Sequence, residues 1–297
     1  PFHMWVPDVY EGAPTLITAY LSVASKATGF AVLLRIFYLA FGDIGYQEDW
    51  SILFALLGVL SMTVGNLVAI AQSNIKRMLA YSSIGQVGYL LMGVAALSPL
   101  ASNGVILHLA GYGVTTLAAF MCVIIFYNAT SKEEISDFAG LADRSPFVAM
   151  VLSVALLSLA GLPFFAGFTT KFYLFTAIAE AGFLWLAGLA IFASLISLYY
   201  YLQVIRQMYI ESAPEELNSV ERDDESTPET PQESAPEAMP ELAGLEGFSR
   251  ARLAKSPSIL LLGVLFITLA AVFWIGVYPS PLLEPIEAAS RAILPGT

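Results

Sequence analysis

Seven apolar stretches, each long enough to cross a lipid bilayer, decide what this chain can fold into. They run over residues 13–40, 50–71, 77–97, 103–127, 146–180, 183–210 and 258–278. A hydrocarbon core of ~30 Å takes about 20 apolar residues in a helix. Backbone groups in lipid must also find their partners within the protein, which favours helices over open strands. Turn-forming residues separate the stretches: Pro14, Gly42-Asp43, Ser73-Asn74, Ser98-Pro99, Ser145-Pro146 and Pro279. Only 12% of the 297 residues are charged and 57% are hydrophobic, against about 25% charged in soluble domains. A water-facing globular enzyme is thereby disfavoured, and the expected fold class is all-α, a polytopic transmembrane helix bundle. One cysteine, Cys122, excludes an intrachain disulfide framework, and two histidines, His3 and His108, give no support to a zinc site. No signal peptide is visible, and the opening at Pro1 reads as the middle of a motif, with membrane segments expected before it.

The formal net charge of −11 belongs to one segment. Between Glu211 and Gly247 stand twelve acids, five prolines and a single base, Arg222. Such a composition cannot bury enough apolar surface to offset its ordering entropy. Residues 211–257 are therefore expected to form an acidic, disordered loop, with a docking tail as the alternative. They divide the chain into a transmembrane region at 1–210, a final span at 258–278 and a tail at 279–297. If the first span starts at the cytoplasm, nine Lys or Arg residues fall on that side, including Lys76, Arg77, Lys132, Arg144 and Arg206. Only Arg35 and Arg291 fall on the other. The positive-inside rule selects this orientation in the plasma or inner membrane and puts the carboxyl terminus outside. With no basic excess, nucleic acid is not an expected partner; the lipid bilayer is.

Two bases remain, and both lie deep within apolar stretches. Lys26 stands near the centre of 13–40, beside Ser22, Ser25 and Gly29, a small polar stripe expected to face other helices. A lysine at that depth costs at least ~2.5–3.5 kcal/mol and normally lines a polar cavity. Pairing with a buried carboxylate for packing alone is the plainer alternative. Lys171 lies in 146–180, a stretch of 35 residues that would reach ~52 Å as one helix. A helix break is expected near 161–168, where Gly161, Pro163 and Gly167 supply it. Broken helices beside a charge are a common build of ion sites in transporters; a kinked helix with a lysine near its end is the plainer alternative. Lysine suits proton work because its proton affinity responds to desolvation and to neighbouring charge. His108, with Tyr112, Thr115 and Thr116 on one face, is a third candidate proton carrier, or else a hydrogen-bonded interhelical contact. Asn66, Ser82, Ser83 and Gln86 are expected to serve as helix–helix hydrogen bonds. His3 is assigned no role.

Three sets of residues point to a family. Pro1 through Pro14 with Ala24-Ser25-Lys26, Asn74 through Ser83, and Gly161-Leu162-Pro163 through Tyr173 together resemble the antiporter-like membrane subunits of respiratory complex I. Leu198-Tyr199-Tyr200-Tyr201-Leu202 continues the likeness, which is greatest to the subunit N branch of proton-translocating NADH–quinone oxidoreductase. The chain departs from it at Val9-Tyr10, where relatives carry Ala-His, and at Lys171, where some carry Glu. The resemblance implies a fold of inverted five-helix repeats, each with one broken helix. It implies proton translocation with Lys26 as the central lysine and Lys171 leading to the outer face. Lys76 and Arg77 match the motif but are sufficiently explained as cytoplasmic anchors. The family's glutamate and first lysine would stand before Pro1. NADH, flavin, iron–sulfur clusters and quinone would belong to partner subunits, and other membrane subunits of complex I would be the partners. A cation/proton antiporter of the Mrp type and a non-conducting scaffold remain the competing functions.

Overall fold

A computed structural model describes residues 3–41, 47–212 and 259–293. The acidic segment expected to be disordered lies almost wholly outside the described residues, as does the Gly42-Asp43 turn. The described chain is helical throughout, apart from a single bridge between Asn74 and Glu134. A short helix, α1 (Val6–Gly12), precedes Pro14. The first apolar stretch then becomes α2 (Thr15–Tyr20) and α3 (Lys26–Arg35), joined by a wide π-type turn at Leu21–Ser25. The remaining helices are α4 (Gln47–Ala69), α5 (Ile75–Ala95), α6 (Pro99–Thr130), α7 (Leu141–Arg144), α8 (Pro146–Ala160), α9 (Ala166–Glu180), α10 (Leu184–Tyr209), α11 (Ile259–Val277) and α12 (Ser280–Ile293). Six of these helical runs are long and apolar enough to cross a membrane.

Local sequence explains the boundaries. The side chains of Asn74 and Ser98 accept hydrogen bonds from the first free N–H groups of α5 and α6, the usual role of a helix-capping residue. Proline opens α6 and α8, where its missing N–H costs nothing. The tail expected after residue 278 is instead the helix α12, whose Ile286 and Ser290 are buried. Its apolar residues recur at helical spacing, so the segment has a face to bury rather than solvate.

α4 and α5 approach closely because glycines face each other. A Cβ on Gly88 would lie 2.6 Å from the backbone nitrogen of Met62, and one on Gly65 equally close to that of Gly85. Small residues at a membrane helix interface let backbones pack where no hydrophobic force drives association. α5 and α6 are buried on most faces, whereas α10 and α11 leave much apolar surface exposed. The bases Lys76, Arg77, Lys132, Arg144 and Arg206 gather at one end of the bundle, around residues 131–145. The core divides into two large apolar clusters, one towards that end and one towards the other, and a small one of Ala166, Val272 and Ile275. Between them lies a polar layer.

Candidate functional site

The break expected near 161–168 is a complete interruption. α8 ends at Gly161, which adopts φ +92°, and Phe164 stands at φ +73°, so the chain turns before α9 begins. Two half-helix ends are left facing each other inside the bundle, with backbone groups that need partners. Ser158 Oγ accepts the N–H of Gly167 at 3.0 Å. Gly167 packs so tightly on the Ser158 carbonyl that no larger residue fits. Lys171 serves the other end: Nζ donates to Leu159 O at 2.7 Å, to Ala160 O at 3.3 Å and to Ser194 Oγ at 2.9 Å. All three ammonium protons are thus used, at the negative end of the α8 dipole. The ammonium also lies 4.9 Å from the centre of the Tyr89 ring, and the side chain is only 3% exposed.

Lys26 sits at the junction of the π-type turn and α3, a kind of local irregularity common at functional sites. Its Nζ donates to Tyr112 Oη at 2.8 Å and to Ser83 O at 3.3 Å. Of the stripe expected to face other helices, Ser22 is buried, but Ser25 and Gly29 are exposed. They border an open cavity of about 380 Å³ that Lys26, Ser83, Ser61 and His3 also line. The π-type turn adds a residue, so positions i, i+3 and i+7 are set apart around the helix. His3, given no role from sequence, stands in the same cavity. Among the described residues neither Lys26 nor Lys171 forms an ion pair.

His108 lies close to the partners of both lysines. Tyr112 follows it by one turn on α6, and His108 Nδ1 lies 3.0 Å from Thr170 Oγ1, the residue beside Lys171. His108 Nε2 lies 3.2 Å from Gln86 Oε1, and Gln86 Nε2 donates to Leu159 O, the carbonyl that Lys171 also holds. A cavity of about 10 Å³ lies among Gln86, His108, Tyr112, Ser158 and Lys171, room for about one water. Gln86, expected to be a plain helix–helix contact, is therefore part of this layer. Asn66 and Ser82 are packing contacts of a second kind: Tyr200 donates to Asn66 Oδ1 at 3.0 Å, and Ser82 pairs with Tyr201. Asn66 Nδ2 in turn reaches Tyr89 at 3.4 Å, and Tyr89 faces Ser194.

Lys76 is more than a rim residue. It is 4% exposed, and its Nζ pairs with Glu133 Oε1 at 2.6 Å and donates to Glu11 O at 2.8 Å. It thereby holds the end of α1 against the loop before α7. Arg77 pairs with Asp8 and Glu11 at the same end, at 2.9 Å and 2.6 Å. Sequence reasoning missed Ser158, Ser194, Tyr89 and Glu133, since single hydroxyls and one loop carboxylate carry no spacing signal.

The family profile described as NADH:quinone oxidoreductase/Mrp antiporter, transmembrane, matches residues 1–197. The chain belongs to that family. Among its members, NADH-quinone oxidoreductase subunit N of Desulforamulus reducens is 53% identical over 163 residues, which are 55% of this chain and 34% of that protein. The chain thus spans about a third of the length of the curated relatives it matches. A chain of respiratory complex I from Thermus thermophilus with bound Aureothin aligns at 29% identity and a TM-score of 0.67, over 96% of this chain and 54% of its own. A chain of the Mrp complex from Dietzia aligns at 22% identity and a TM-score of 0.79, over 100% of this chain and 57% of its own, and shares the fold. These antiporter-like membrane subunits carry the all-helical bundle described above, as the sequence led one to expect.

Proposed function

We propose that this chain is the proton-carrying part of a subunit N-type membrane subunit of an NADH–quinone oxidoreductase. One observation carries the reading: buried Lys171 and half-buried Lys26, neither with an acidic partner among the described residues, are joined by Tyr112, His108, Thr170 and Gln86 across a gap of one water. In transfer, the Lys26 ammonium gives a proton to Tyr112 Oη, which releases its own towards the small cavity. The proton then passes, by way of the imidazole of His108, to the Lys171 amine. Each relay group returns to its starting state, and only the two amines change charge. Desolvated amines respond strongly to nearby charge, so charge movement in adjoining subunits would drive the exchange. Electron transfer, with its NADH, flavin, iron–sulfur clusters and quinone, belongs to those partners. The bases gathered around residues 131–145 support a cytoplasmic location for that end, in the plasma or inner membrane, and an outer location for α12.

An antiporter of the Mrp type has the same fold, but the 53% identity to a subunit N favours the oxidoreductase. The test is NADH-driven proton uptake by vesicles holding the assembled complex. Lys26→Ala and Lys171→Ala are expected to lower pumping while the amount of assembled subunit stays normal. Unchanged pumping at normal assembly would favour a scaffold that fills the membrane arm.

A further inference from the structure

Ser194 on α10 hydrogen-bonds Lys171 and also lines a second, larger cavity. Its Oγ accepts from Lys171 Nζ at 2.9 Å and donates to Ala160 O at 2.8 Å. That cavity, about 490 Å³, is lined by Lys171 and Ser194 together with Phe172, Phe175, Thr176 and Leu184. These last residues come from the second half of α9 and the start of α10. The space therefore runs from the lysine towards residues 181–183, away from the end where Lys76 and Arg144 lie. Ser194 is half-buried, whereas Tyr89, Tyr200 and Asn66 behind it are buried. Tyr200 donates to Asn66, Asn66 donates to Tyr89, and Tyr89 faces Ser194, so the hydroxyl is braced from the closed side of the bundle.

We infer that Ser194 is the relay by which a proton leaves Lys171 for the outer cavity. This rests on the translocation reading above. In the resting arrangement Ser194 gives its hydroxyl hydrogen to Ala160 O and receives one from the ammonium. On release, Lys171 passes a proton to Ser194 Oγ, and the serine's own hydrogen leaves Ala160 O for a water in the cavity. The ammonium becomes an amine, one proton reaches the cavity, and the serine is unchanged. The neutral amine can then accept from the serine, which preserves the α8 end cap in both states. The apolar walls make the step conditional, because a narrow hydrophobic space conducts only while it is wet. Ser194 also explains why Lys171 is not simply a structural cap. Backbone carbonyls alone could hold an ammonium but could not carry its proton away.

The test compares Ser194→Ala, Ser194→Thr and Lys171→Ala in vesicles holding the assembled complex, with subunit content measured in each. Ser194→Ala is expected to slow NADH-driven pumping roughly tenfold, the scale of one lost hydrogen bond to a charged group. Ser194→Thr keeps the hydroxyl and is expected to restore it. Leu195→Trp, which narrows the cavity without touching the hydroxyl, is expected to slow pumping as well, and serves if Ser194→Ala fails to assemble. Wild-type pumping in both Ser194→Ala and Leu195→Trp, or a threonine variant as slow as alanine, would overturn the relay. Normal pumping in Lys171→Ala would instead sink the translocation reading itself.

Discussion

Lys171 Nζ lies 2.7 Å from the carbonyl oxygen of Leu159, across the break between α8 and α9. The same contact does two jobs. It satisfies a half-helix end that would otherwise stand unpaired at depth in the membrane, and it fixes a titratable amine between a small cavity and a larger one. A structural cap requires only a donor, whereas a proton carrier must also be able to lose its charge.

That difference separates two substitutions. Lys171→Arg keeps donors and charge, but guanidinium does not deprotonate in proteins. It is expected to preserve assembly and thermal stability better than Lys171→Ala while blocking pumping as fully. Proton uptake by vesicles and thermal melting of the purified complex check the pair. Pumping by the arginine variant near the wild-type rate would count against proton exchange at this position.

The break depends on Gly167 and Ser158 as much as on Gly161. Adding a methyl at Gly167 would drive it into the Ser158 carbonyl, which belongs to the backbone and cannot yield. Gly167→Ala is expected to abolish incorporation of the subunit. Ser158→Ala, which removes only the acceptor for the Gly167 N–H, is expected to cost about 1–2 kcal/mol and to lower the melting temperature without preventing assembly. Subunit content by immunoblot of native gels measures both.

Lys76 and Glu133 form an ion pair whose side chains are 5% and 19% exposed. Removing one partner leaves the other poorly solvated. Lys76→Ala is expected to destabilise by about 2–3 kcal/mol, and Lys76→Met with Glu133→Gln by clearly less, as expected for a pair whose worth lies in not being broken. A double-mutant cycle on melting temperature reads the coupling. Additive effects would show that Lys76 acts through Glu11 O and Ala13 O alone.

Gly88 offers a test of the fold apart from the site. Its Cβ would meet Met62 backbone and side chain and the carbonyl of Gly58, so Gly88→Leu is expected to separate α4 from α5 and lose the subunit. Gly29, with open space around it, is expected to accept alanine with little change in subunit content.

Much of this was legible because membrane physics leaves few choices. Length and hydropathy placed the spans, and Gly161, Pro163 and Gly167 placed the break, since a straight helix of 35 residues would overrun the bilayer unless tilted or broken. Lys26 and Lys171 stood out because charge at depth is costly. What lay beyond the sequence was pairing across helices. Ser194 and Lys171 are 23 residues apart, and Lys76 and Glu133 come together only when the loop after α6 folds back on α5. The helix α12, at 14 residues, is too short to give a membrane-spanning signal.

Proton exchange at Lys171 is tested most directly by infrared difference spectroscopy of the assembled complex carrying 15N-labelled lysine, recorded before and during NADH turnover. An isotope-sensitive ammonium band that changes on turnover, and is missing in Lys171→Arg, is the expected result. A difference spectrum with no lysine band, from a complex that pumps normally, would contradict it.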